Sequence, residues 1–213
     1  MKFRLVNQDH NAGMLLEAIP DAVFDGQPKI GRLVFDSIVA NTSPDHIALS
    51  TAIVFGDYIG HEIHSEKPIS RITGEAIQEF LDSRRVSIQN LTDTPRSPWP
   101  SAGLLEVNPF SQLPEFETTK RGEVHGHQLY FADGTIFNGA IGSPHQSLVA
   151  SNFRVFAELN EISLAKVLVA LGVIFSRDLH MRTVKVPRLD LADLDCEKIS
   201  NLVRAADLNI QFT

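Results

Sequence analysis

Four histidines carry the spacings that hold a metal ion. Asp57, His61 and His64 fall at i, i+4 and i+7, one face of a helix that continues past Gly60. His125 and His127 fall at i and i+2, one face of a strand. Two such pairs from separate elements would close a nitrogen and oxygen site for zinc or another divalent transition metal. That chemistry points to a metal-dependent hydrolase, with Asp57 or Asp133 as a helper. The stretch from His61 to His64 is one residue short of the His-Glu-x-x-His motif, so the general base of that motif has no counterpart here.

A second constellation suits an anion. The stretch from Gly139 to Pro144 joins an expected strand to an expected helix N-terminus, where free N–H groups and the helix dipole attract phosphate or carboxylate. Gly142, Ser143 and His145 would supply the contacts of a nucleotide or other anion-binding protein. Neither a P-loop lysine nor a full dinucleotide fingerprint accompanies them. A third candidate is an interface. Trp99 stands between Pro98 and Pro100 with Arg96 nearby, and a stiff Pro-rich segment presents such side chains at low entropy cost. No nucleophile is assigned, because a triad is defined in space and no spacing suggests one.

The 213 residues fit one large domain or two small interlocked ones. A formal net charge of −7 argues against nucleic acid as a partner. The one cysteine, Cys196, rules out an internal disulfide framework, and its acidic neighbours Asp195 and Glu197 oppose thiolate formation. The longest apolar run, residues 162–175, is short of the ~20 residues a membrane span needs. No secretory segment opens the sequence. A cytoplasmic, non-membrane protein is expected.

These residues need elements to position them. Strands are expected at 2–6, 32–40 and 85–91, at 127–132 and 135–141 around Asp133-Gly134, and at 182–186 and 209–212. Residues 10–28 read as a loop with a short helix near 13–18. Ser43-Pro44 starts a helix over 44–60, since serine accepts at the N-cap and proline at N1 lacks an N–H to orphan. Further helices are expected at 73–81, 145–158, 161–178 and 194–206. Residues 104–124 carry little pattern.

Three prolines in 92–103 break the chain into units 1–91 and 104–213, expected to pack as one domain. The units echo each other: Phe35-Asp36 and Ser43-Pro44 against Phe137-Asn138 and Ser143-Pro144, then Phe55 against Phe175. The fold class is therefore α+β, a mixed sheet flanked by helices, with internal duplication and pseudo-twofold symmetry that would set helices 44–60 and 161–178 side by side. A site between the halves would follow. Val173 to Phe175, Arg182 to Pro187 and Leu208 to Phe212 resemble a segment preceding the ATP-binding domain in some bacterial queuosine-synthase-like proteins. That family's Ser-Gly-Gly nucleotide loop is missing, so the resemblance carries no residue or activity across. The leading expectation is a non-enzymatic interaction or assembly protein, self-associating or bound to a protein partner.

Overall fold

Two helices that are apolar almost all round organise the molecule, as a helix without a polar face must be buried on every side. The computed structural model describes residues 1–8, 13–82, 86–94, 102–110 and 126–213. Helix α1 (Pro44–Phe55) begins as its sequence requires: the Ser43 hydroxyl accepts from the His46 N–H at 3.1 Å, with Pro44 in the first turn. Helix α4 (Leu164–Ser176) buries every residue except Leu164 and Lys166. The two lie together, and the Ser50 hydroxyl of α1 donates to the Ala170 carbonyl of α4 at 2.9 Å.

The sheet has eleven strands among the described residues: β1 (Lys2–Asn7), β2 (Met14–Ile19), β3 (Arg32–Phe35), β4 (Glu62–Ser70), β5 (Ser87–Thr92), β6 (Gly103–Pro109), β7 (Gly126–Asp133), β8 (Ala140–Gly142), β9 (Gln146–Ser151), β10 (Met181–Val186) and β11 (Asn209–Phe212). Their order is β11-β10-β6-β7-β9-β3-β2-β1-β4-β5, with β8 beside β9. Three further helices complete the fold: α2 (Arg71–Phe80), α3 (Phe153–Asn160) and α5 (Asp193–Arg204). The α+β class and mixed sheet are as expected. Strands from both sides of the 92–103 junction share one sheet and one hydrophobic core. Gly172 sets the depth of α4: a Cβ there would meet Val184 Cγ1 at 2.7 Å and Val107 Cγ2 at 3.0 Å, so only glycine lets the helix settle this close to β6 and β10.

The sheet curls around α1 and α4. Helix α2 lies against β4 and β5 at one end of the strand order, and α5 lies against β11 at the other, yet α2 and α5 touch. Thr73 Oγ1 donates to the Ala205 carbonyl at 3.5 Å, and Lys198 pairs with Asp82 at 2.5 Å. The two ends of the sheet thus meet at a seam.

The outward face is a set of cross-strand polar rows. Gln211, Lys185, Glu106, Gln128 and Gln146 stand in register across five parallel strands. Lys185 pairs with Glu106 at 2.8 Å, and the Gln146 amide donates to Gln128 at 2.7 Å. On the antiparallel strands, Arg4 and Arg32 flank Glu17, each at 2.7 Å. Burial alone would raise the Glu17 pKa, but the hydrogen bonds and charges of Arg4 and Arg32 overcome it and hold the carboxyl below its usual range.

Several expectations are corrected. Residues 13–18 form strand β2 rather than a helix, because both of its edges are paired, to β1 and to β3. Helix 44–60 stops at Phe55, followed by a single 3-10 turn at Gly56–Tyr58. The helix expected at 145–158 divides: Gln146–Ser151 is β9, buried between β7 and β8, and only Phe153–Asn160 is helical. Of the strand expected at 135–141 only the end is present, as the start of β8, and the unpatterned stretch 104–124 holds β6 at its start.

The echo between the halves does not resolve into a repeat. The expected juxtaposition of the central helices is present, and from Phe55 and Phe175 onward both halves run strand, helix, strand (β4-α2-β5 and β10-α5-β11). Ser143-Pro144 does not match Ser43-Pro44, since it turns a β8–β9 hairpin. Internal duplication is not confirmed: β2 is antiparallel to both neighbours, whereas β7 is parallel to both.

Candidate functional site

Strand β4 feeds directly into α2 through Ser70, and that junction begins a cleft. The Ser70 hydroxyl accepts from the Thr73 N–H at 3.3 Å, capping α2. The Ser70 N–H donates to Asp45 Oδ1 at 2.7 Å, in the first turn of α1. The N-termini of α1 and α2 are therefore tied side by side. Thr92, ending β5, and Thr94 beside it pair their hydroxyls at 2.8 Å. The far wall comes from the second half. Arg177 follows α4, whose end is held against the 40–42 segment: the Thr42 hydroxyl donates to the Ile174 carbonyl at 2.6 Å, and Asp178 accepts from the N–H groups of Ala40 and Asn41, both at 3.2 Å. Ala206 and Asp207 close the rim.

The cleft encloses about 220 Å³ at the seam. It lies at the carboxyl ends of two parallel strands, the place where open α/β sheets take ligands. Two helix N-termini bring partial positive charge, and Arg177 adds a full one. His46 is buried in the wall, and Ser43, Ser70, Thr92 and Thr94 supply hydroxyls. Asp45 and Asp207 oppose this charge, although Asp45 is engaged with the Ser70 N–H.

Of the sequence-selected metal ligands among the described residues, His61 and His64 line one pocket, but Asp57 and His127 do not join them. Asp57 sits in the 3-10 turn, so the i, i+4, i+7 helical face does not form. His64 lies on β4, where its Nε2 is 2.6 Å from Glu62, and His61 precedes that strand with its ring against Phe24. His127 lies on β7, five strand spacings away in the order, about 24 Å along the sheet. It also points into the core, 2.9 Å from the Ser147 hydroxyl. Burial pushes the His127 pKa down, so the neutral imidazole is favoured. Asp133 spends its carboxylate on the Thr135 N–H and hydroxyl, at 2.9 and 2.8 Å. Among the described residues no three His, Cys, Asp or Glu side chains gather to hold a metal.

The anion candidates are also placed differently. Gly142, Ser143 and His145 occupy the β8–β9 hairpin, where Ser143 Oγ accepts from the N–H groups of His145 and Gln146 at 3.4 and 3.0 Å. The turn consumes the donors that a helix N-terminus would have offered. His125, Arg96 and Trp99 lie outside the described residues. Cys196 is half-buried in α5, and burial together with Asp193 and Asp195 raises its thiol pKa, in line with an inert residue.

Ser70, His46, Thr92, Thr94 and Arg177 were not visible as a group in the sequence. The one available signal was Ser70 just ahead of the helix expected at 73–81, a residue type favoured at helix N-caps. The chain matches no protein-family model, no curated protein and no solved structure. Among the described residues no helix is long and apolar enough to cross a membrane.

Proposed function

We propose that this chain is a non-enzymatic binding protein that takes a small phosphate- or carboxylate-bearing ligand in the seam cleft. One observation carries the reading: residues of both halves converge there, with two helix N-termini on one side and Arg177 on the other. The volume of about 220 Å³ falls below the ~300 Å³ at which pockets for drug-sized ligands begin, which favours a small anion over a whole nucleotide. The one unpaired cysteine accords with a cytoplasmic setting.

Thermal shift followed by calorimetric titration with phosphate, pyrophosphate and small dicarboxylates tests this. Saturable stabilisation that weakens with salt and is lost in Arg177→Ala is the expected result. A folded protein with no saturable response to any of these anions overturns it.

Self-association is the second reading. Ile38 and Ile136 are exposed on loops and Ile141 on β8, and the Gly139 N–H joins the two segments through Asp36 Oδ2 at 2.9 Å. Exposed apolar groups gathered in this way mark contact surfaces. Light scattering over a range of concentrations distinguishes a dimer from a strict monomer, and the latter removes this reading.

A further inference from the structure

A larger pocket opens on the outer face of the first half, about 520 Å³ in volume and within the usual range for small-molecule sites. Its floor is a cross-strand row: Ile19 on β2, Lys2 on β1 and His64 on β4 stand in register. Its wall is the 20–25 loop, with Phe24 against the ring of His61 at a centroid distance of 5.3 Å.

This loop is locked in place. Asp25 accepts from the Gly60 N–H at 2.9 Å and from the Asp21 N–H at 2.8 Å, and Gly26 donates to the Tyr58 carbonyl at 2.8 Å. Gly60 lies so close that a Cβ there would sit 1.7 Å from the Phe24 carbonyl oxygen. The fold thus holds Phe24 outward, 61% exposed, on a rigid support. A large apolar side chain fixed in water beside a cavity is a preorganised contact surface.

Most polar groups of the pocket are already paired: the N-terminal ammonium of Met1 with Asp25 at 2.7 Å, and His64 with Glu62 at 2.6 Å. The remaining acid contacts are also satisfied: Asp21 accepts from the Val23 N–H at 2.8 Å, Asp25 from the Asp21 and Gly60 N–H groups, and Glu62 from Ser87 and Gln89. The side chains of Lys2 and His61 make no hydrogen bond or ion pair among the described residues. Two uncommitted nitrogen donors therefore face a wall built of Ile19, Pro20 and Phe24.

We propose that this pocket binds a small amphipathic carboxylate, its apolar body against Ile19 and Phe24 and its carboxylate on Lys2 and His61. The site is separate from the seam cleft and does not depend on it. The test is calorimetric titration of the full chain with phenylacetate and octanoate, using acetate as the control that lacks an apolar body. Saturable binding of phenylacetate or octanoate but not acetate is expected. The double variant Lys2→Gln/His61→Gln should weaken it about tenfold or more, as loss of a charge-assisted hydrogen bond implies. Phe24→Ala should weaken it by several-fold, and Arg177→Ala should leave it unchanged. No saturation with either probe overturns the proposal. Equal affinity in the double variant and the parent, both folded by circular dichroism, also overturns it.

Discussion

The two cavities are built on opposite plans. The seam cleft is small, hydroxyl-rich and composite: one wall belongs to α1, α2 and the ends of β4 and β5, the other to the segments following α4 and α5. The outer pocket is more than twice as large, partly apolar and local, assembled from residues 1–64 alone. The difference lies in what holds each open. The composite cleft depends on how the curled sheet closes, whereas the local pocket depends on one loop clamped across Gly60. Substitutions should therefore separate them.

The largest effect is expected from Gly60→Ala. A Cβ 1.7 Å from the Phe24 carbonyl oxygen forces the backbone of the clamp apart, at a cost of about 3 kcal/mol, the upper end of overpacking. Chemical denaturation should show that loss, and phenylacetate binding should vanish while the anion response at the seam survives. Gly172→Ala should do the reverse at about 2 kcal/mol, because pushing α4 away from Val184 and Val107 displaces Arg177 at its end. If both ligand responses fall together in either variant, the cavities are not independent.

Ser70→Ala should cost about 1 kcal/mol through the lost cap of α2 and weaken anion binding at the seam alone. The smallest effect expected is the pH response of His127. Its pKa is depressed in the folded state, so the stability it contributes is complete above the unfolded value of 6.5. That contribution is lost as the pH falls through the lower folded value. Thermal midpoints measured from pH 7 downward should decline in the parent and decline less in His127→Gln.

What could be read in advance follows from how local each signal was. Helices α1, α2, α4 and α5 declared themselves through caps and apolar stripes, since both act over one or two turns. Strands β2 and β9 did not. In β2 the alternation of Met14, Leu16 and Ala18 is masked by Leu15 and Ile19, apolar residues on the outward face. In β9 the apolar residues Leu148, Val149 and Ala150 are contiguous, which leaves helix and strand undecided until partners arrive. The candidate sites fared the same way. Histidine spacings were visible but said nothing of which strands would be neighbours, and β4 and β7 are not. The seam cleft joins residues 43 and 207 through sheet curvature, for which no short-range pattern exists.

The halves of the sheet meet at a single ladder pair, Phe35 with Ser151; the Asp36 N–H donates to the Ala150 carbonyl, and the Ser151 hydroxyl and the Asn152 side chain and N–H bond Val34 and Arg32 across the line. Everywhere else along the strand order at least two pairs hold neighbours together. Ladder bonds are thus fewest between β3 and β9, where the side chains of Ser151 and Asn152 do most of the joining, so amide protons there exchange through a smaller excursion than those of β6 and β7 once those side chains are removed. Such an opening parts the sheet in the middle while each set of strands keeps its own central helix, and slow breathing at that line would reach the seam before it reached the clamp.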